Sequence, residues 1–491
     1  IRRPPRSTQS RSSAASDVYK RQIQYDVGEF MKQKILICGA GRVGTSITEH
    51  LSNEGFDITV IDSDTEAIHR VTELYDVQGV LGLASYPNVL EDAGIKDADM
   101  IIAVTQSDEI NIAACHVAKS IFGIPTMIIR IRSKSYLDPK FSDYLLKDVG
   151  VNRIISPEDE VATAIVNQWR TPGAFDVAEF ASSSVTMLGV SCKNDCPILD
   201  TPLRNLADLL PDLKVTVMAI IRGTKLVVPR GGDDIILSGD RVYLACPTDQ
   251  INRTLIAFGH SETTAEKVTI SGAGAIGIRV AEEIHKLSPE TNLTILELDK
   301  EKARHAAEML EYATIISGDS LDPEIILEAR LGQGETYIAA TNNDEVNILS
   351  SLLSKRSGAS HTVALINLPV FIPLFNSLDL EGVVSPPNLT ASSILQEVRS
   401  GHIEHVHSII EEFGEVISFE ALKSSSIIGK PLKNTKLPKD VALGAVVKED
   451  KSIVSPRGDT IIEAGDIVVM FVPVKSMKKV EELLSVNLDF F

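Results

Sequence analysis

Two glycine runs carry the most legible chemistry in this chain. Gly39, Ala40, Gly41, Arg42, Val43 and Gly44 form one, and Gly272, Ala273, Gly274, Ala275, Ile276 and Gly277 form the other. Each follows a β-type apolar run (34–38 and 268–271) and opens a helical pattern. An acid closes the next apolar run in both places: Asp62 after Thr59-Val60-Ile61, and Glu297 after Thr294-Ile295-Leu296. The pattern G-x-G-x-x-G turned into a helix start offers free N–H groups and a positive dipole end to a diphosphate. The first glycine makes the tight turn, the second lets the phosphates approach the backbone, and the third lets helix and strand pack closely. The acid accepts from ribose hydroxyls and repels a 2′-phosphate, which favours NAD(H) over NADP(H). One such motif is weak; the full strand, turn, helix and acid context, met twice, is strong.

Further candidates are predicted along the same sheet edge. Thr105-Gln106 and Thr341-Asn342 fall where a fourth strand ends and can reach ribose or phosphate. Asp108 and Asp344 follow them and read equally well as plain helix caps. Gly318-Asp319 closes the third strand of the second copy, where the first has Gly82-Leu83. Arg42 lies in the first glycine loop against Ala275 in the second, and Arg130 and Arg132 end the fifth strand of the first copy alone. A more basic first pocket suits ADP or ATP as well as NAD(H). Arg132 reads equally as half of a surface or subunit-interface salt bridge. Cys192 and Cys196 read as part of a solvent-side turn, and His402, His405 and His407 as linker surface. No metal site is assigned to either set, since partners at ligand spacing are missing from the sequence around them.

The elements that must position these residues occur twice. Besides the glycine runs, Thr105, Asp108, Glu109 and Asn111 recur as Thr341, Asp344, Glu345 and Asn347. Ile155-Ser156-Pro157 answers Val384-Ser385-Pro386, and Pro229-Arg230-Gly231 answers Pro456-Arg457-Gly458. Matches in one order at near-constant offset mean duplication. In the first half, strands at 34–38, 57–62, 77–81, 99–104 and 126–130 alternate with helices at 42–53, 64–74, 86–93 and 108–122. That alternation specifies a parallel, doubly wound Rossmann-like sheet. Ser107 is placed to cap the last helix, with Ile112, Val117, Ala118 and Ile121 as its inward stripe. Shorter β-rich runs follow in each half and read as small α+β modules. The α/β chain is therefore divided into a leader (1–30), a first Rossmann domain (31–155), a first small domain (172–259), a second Rossmann domain (266–386) and a second small domain (403–491). Linkers, in part helical, fall near 156–173, 259–266 and 386–401.

Composition narrows the partners. The formal charge is −19, and the Ser/Arg-rich leader contributes +3 of it, leaving −22 on the rest. Such a surface repels nucleic acid and anionic lipid. The absence of 18 unbroken apolar residues predicts no membrane-spanning helix. Five scattered cysteines suggest no disulfide framework. The leader is expected to be disordered and an artefact, with the start at Met31.

At this point the residues resemble a known family. GAGRVG with VIDSD, AVTQSDEINIAAC, IIRIRS, GAGAIG, TNNDEVNILS and AGDIVVMF look like the tandem RCK-class regulators of Trk potassium uptake, across residues 31–491. The resemblance implies a cytoplasmic protein, peripheral on the inner face of the plasma membrane. It implies a homo-oligomeric ring, a tetramer of the tandem chain, that gates a TrkH/TrkG-type potassium channel subunit. It puts nucleotide contacts on residues 39–43, Asp62, Thr105, Gln106 and Arg130, and on residues 272–276, Glu297 and Asp319. The basic leader has no counterpart in that family.

A sensor fits better than an enzyme. Hydride transfer needs an acid or base set against the nicotinamide, and the small domains are poor in such groups, with no Tyr-x-x-x-Lys. The alternatives are an NAD-dependent oxidoreductase and a regulator of another cation channel or antiporter.

Overall fold

The computed structural model describes residues 33–230, 232–332, 334–378, 380–398, 403–409 and 413–484. The basic leader and His402 lie outside them. In the first unit, β1 (Lys34–Cys38), β2 (Asp57–Asp62), β3 (Gln78–Leu81), β4 (Met100–Ala103), β5 (Thr126–Arg130) and β6 (Arg153–Ile155) form one parallel sheet. Its order is β3-β2-β1-β4-β5-β6. The central strands are buried on both faces, as covered parallel strands must be. The order reverses between β1 and β4, which opens a crevice at their carboxyl ends. Two helices flank that crevice: α1 (Arg42–Glu54) starts at the glycine loop, and α2 (Asp108–Val117) starts after β4.

After β6, α3 (Pro157–Arg170) leads to an antiparallel sheet of β7 (Ala174–Phe180), β8 (Val185–Ser191), β9 (Thr216–Arg222), β10 (Lys225–Val227) and β11 (Arg241–Pro247). The plan then repeats. A parallel sheet of β12 (Lys267–Ser271), β13 (Asn292–Glu297), β14 (Ala313–Ser317), β15 (Glu335–Ala339), β16 (His361–Leu365) and β17 (Gly382–Val384) has the order β14-β13-β12-β15-β16-β17. Here α4 (Ala275–Leu287) and α5 (Asp344–Ser357) stand where α1 and α2 stand in the first copy. After α6 (Pro386–Val398) comes the antiparallel sheet of β18 (Ile403–Ser408), β19 (Gly414–Glu420), β20 (Ala442–Val447), β21 (Ile453–Val454) and β22 (Ile467–Pro473). The chain is thus two Rossmann-like parallel-sheet domains, each followed by a small antiparallel-sheet domain.

The two helices expected as parts of linkers are instead core elements, and each seats on the opposite half. Val161, Ile165, Val166 and Trp169 of α3 join one apolar cluster with Val268, Val280 and Ile284 of the second Rossmann domain. Reciprocally, Ala391, Ile394, Leu395 and Val398 of α6 pack with Ile35, Ile47 and Leu51 of the first. The small domains also meet face to face: Phe175, Met187, Met218 and Tyr243 share a cluster with Val416, Ala445, Val469 and Phe471.

Other expectations need correcting. The helix predicted over 108–122 stops at Val117 and finishes in a wider π turn over Ala118–Phe122. The extra residue per turn rotates Ile121 out to 60% exposure. The face buried along α2 is Asn111, Ala114 and Cys115. Cys192 and Cys196 are buried under the turn expected to face solvent. His407 is not linker surface: it lies on β18, and its Nε2 meets Asp176 Oδ1 of β7 at 3.0 Å. His405, on the same strand, packs edge-on against Phe180 of the other small domain. Among the described residues, no helix is long and apolar enough to cross a membrane.

Candidate functional site

The glycine loops have one geometry in both copies. Gly39 and Gly272 take φ of +116° and +102°, where side chains are strained. A Cβ on Gly44 would fall 1.8 Å from the Gly39 carbonyl oxygen, and one on Gly277 would fall 1.9 Å from that of Gly272. A Cβ on Gly41 or Gly274 would meet nothing within 4 Å. So the third glycine is locked by packing, while the second faces open space at a helix N-terminus. Neither Gly41 nor Gly274 gives a side-chain cap, and the first-turn N–H groups there have no capping side chain. Ala40 and Ala273 follow the turns and are buried. Val43 and Ile276 face inward onto the apolar clusters, and Arg42 and Ala275 stand exposed at the first helical position.

The acids are pinned beside these loops. Asp62 Oδ2 accepts from Ala40 N at 2.6 Å and Oδ1 from Asp64 N at 2.9 Å. Glu297 Oε2 accepts from Ala273 N at 2.7 Å and Oε1 from Asp299 N at 2.9 Å. A carboxylate offers about four lone-pair sites, so each keeps acceptor capacity for further donors. The longer Glu297 reaches the same position as the shorter Asp62. The third-strand loops are tied in by Gly82 N to Asp62 O (2.8 Å) and Gly318 N to Glu297 O (2.9 Å). Asp319 stands exposed there, its Oδ1 holding Leu321 N at 2.9 Å.

Thr105 sits against the first loop; its N–H and hydroxyl both donate to Asn111 Oδ1, at 2.9 and 2.7 Å. Asn111 Nδ2 donates onward to Thr105 O and to Arg130 O, at 3.3 and 3.0 Å. In the second copy, Asn347 makes the same bonds to Thr341 and to Leu365 O. These fully buried asparagines fix the edge, a role that the motif alone does not assign to them. Their signal was present as the last position of the recurring T-x-x-D-E-x-N. Gln106 and Asn342 are exposed at the rim.

Asp108 and Asp344 are not caps. Ser107 and Asn343 cap those helices. Asp108 instead accepts from Arg132 N and Ser133 N, and Asp344 from Asn367 N and Leu368 N, all within 2.8–3.1 Å. They fasten the loop after the fifth strand to the loop after the fourth.

The two sheet edges differ in charge. At the end of β5, Arg130 has a buried Nε with no partner. Burial, then the nearby Arg132, push its guanidinium below the ordinary arginine range, against the pull of Glu158 and Asp108. Arg132 Nε pairs with Glu158 Oε1 of α3 at 2.8 Å, a bridge within the chain. The second copy has Leu365 and Asn367 at these positions.

Comparison with known proteins bears on this arrangement. The TrkA-N domain family matches residues 35–157 and 268–386, and the TrkA-C domain family matches 187–259 and 416–485. The chain is 42% identical over 459 residues to a Trk system potassium uptake protein TrkA of Azorhizobium caulinodans, covering 93% of this chain and all of that one. It is 35% identical over 462 residues to the protein of that name from Halomonas elongata, again across 93% of this chain and all of the other. Among solved structures, the GsuK RCK domain superposes with a TM-score of 0.57 at 16% identity, over 95% of this chain and 99% of that chain. A GsuK channel bound to NAD gives 0.57 at 16%, over 96% and 83%.

Proposed function

The chain belongs to the TrkA family of Trk potassium-uptake proteins, and from that premise we propose that it is the nucleotide-sensing regulatory subunit of such a system. In this reading each Rossmann-like domain holds an adenine nucleotide. The observation that carries it is the repeated pairing of an open glycine loop with a pinned acid, Gly41 with Asp62 and Gly274 with Glu297. NAD(H) phosphates lie over residues 39–44 and 272–277, and Asp62 and Glu297 take the ribose hydroxyls. Thr105 and Gln106 border the first pocket, and Asp319 borders the adenine end of the second. The orphaned Nε of Arg130 suits a further phosphate, so the first pocket takes ADP or ATP as well.

The protein acts as a switch and not as an enzyme. It assembles as a homo-oligomeric ring, a tetramer of the tandem chain, on the cytoplasmic face of the membrane, and gates a TrkH/TrkG-type pore subunit. A nucleotide moves such an equilibrium only by its difference in affinity for the two states. Coupling of roughly 1–3 kcal/mol per site is typical, and several sites around a ring add up to a decisive bias.

Titration of NAD⁺, NADH, ADP and ATP into wild type, Asp62→Ala and Glu297→Ala tests the reading. Each substitution removes bonds to a charged acceptor, worth about 1.5–3 kcal/mol. Each should therefore weaken its own pocket by about 10–100-fold and spare the other. Absence of any bound adenine compound would sink the proposal. Steady NADH turnover by the pure protein would favour an oxidoreductase, and capture of an antiporter from membranes would overturn the Trk pairing.

A further inference from the structure

Three consecutive acids open α3, and each faces a different domain element. Glu158 pairs with Arg132 just beyond the first pocket's fifth strand. Asp159 pairs with Arg279 at 2.7 Å, on α4, the helix whose N-terminus is the second glycine loop. Glu160 accepts from Ser393 of α6 at 2.8 Å. A parallel bridge runs from Lys134, after β5, to Glu282 of α4 at 2.9 Å. Beneath them, α3 is bolted to α4 by Val161, Ile165, Val280 and Ile284. The start of α3 is thus held from the first pocket on one side and from the helix of the second pocket on the other.

Among the described residues this charged link is built on α3 and is not repeated on α6. At the matching positions α6 has Pro387, Asn388 and Leu389, the loop after β16 has Asn367, and α1 has Ser46 where α4 has Arg279. Around the first pocket's end the charges are also under-satisfied: Arg130 Nε and Glu158 Oε2 are both buried without a partner. An anionic ligand beside Arg130 competes with Glu158 for the arginine pair and so changes the hold on α3.

We propose that the Arg132–Glu158 and Asp159–Arg279 pairs couple the two nucleotide pockets, so that phosphate at the first alters affinity at the second through α3. This rests on the nucleotide reading above. The same factor must act in reverse, because binding linkage is reciprocal.

The test compares the wild-type ADP and NAD⁺ isotherms with the sum of two single-pocket isotherms, from Glu297→Ala and Asp62→Ala. Wild type should depart from that sum by about fivefold in affinity, the low end of typical coupling, as the pairs are partly solvated. In the Glu158→Gln/Asp159→Asn variant the isotherm should collapse onto the sum of the same single-pocket variants made in that background. The second pocket's own affinity should stay as it was and the first should bind at least as tightly, because Glu158 no longer competes for the arginines, which a mere folding defect would not allow. High salt should shrink the coupling likewise. A wild-type isotherm equal to the sum, or coupling that survives in the double variant, overturns the proposal. A flat wild-type isotherm overturns both it and the nucleotide reading, and is distinguishable from either result.

Discussion

At the residue scale, a buried asparagine ties the sheet edge to backbone in each copy. Asn111 serves both the loop after β4 and the end of β5, so Asn111→Ala leaves several groups unpaired at once. Each unpaired buried group costs about 1–3 kcal/mol. The variant should unfold at lower urea and bind nucleotide more weakly at the first pocket, as chemical denaturation and titration can check. Glu160 is the opposite case, an acid placed at a cost. Burial, partly offset by Ser393 and Arg153, pushes its carboxyl up to about 7, and its Oε2 has no partner. A folded value above the unfolded one means that folding takes up a proton. Stability from this group is then highest at low pH and falls as pH rises from the ordinary glutamate range to about 7. The loss is roughly 3 kcal/mol at most. Glu160→Gln should raise Tm at pH 8 and leave it unchanged near pH 4; an equal effect at both would refute the assignment.

At the element scale, the decisive feature is the exchange of α3 and α6 between halves. Their apolar faces complete the opposite domain, so damage should appear there. Ile165 is fully buried against the second Rossmann domain. Ile165→Ala should cost about 2–5 kcal/mol. Amide exchange should show lost protection in β12 and β16 before β1 and β5. The reverse order would mean that α3 belongs energetically to its own half. Gln168 strengthens the seat by donating to Phe175 O and Val383 O, at 3.0 and 3.2 Å, and so ties α3 to both a small domain and the second sheet.

At the scale of the whole molecule, the two halves close on each other through the small domains as well. His407 and Asp176 form a largely buried pair across that contact. Burial opposes the charged ring, but the Asp176 carboxylate and then Glu415 outweigh it and hold His407 above the ordinary histidine range. The pair's contribution is complete below the unfolded histidine value and is lost as pH rises through the raised folded one. Stability should therefore decline above about pH 6.5 in wild type. Asp176→Asn should flatten that decline while lowering stability at pH 6, read by melting across pH.

The sequence by itself determined the repeat, both parallel sheets and the place of each glycine loop and acid. These follow from local chemistry: turn residues, apolar period and the fixed distance from a strand to the next strand's end. Even the buried asparagines were visible as a recurring letter, though not as a bond. Tertiary structure alone decided where α3 and α6 pack, that Ile121 points outward, that Cys192 and Cys196 are buried and that His407 meets Asp176. An amphipathic helix shows in its sequence that one face must be covered, but not by which half of a duplicated chain. When two near-equivalent surfaces exist, the choice between them lies in shape and charge contributed by residues hundreds of positions away, and no local pattern records it.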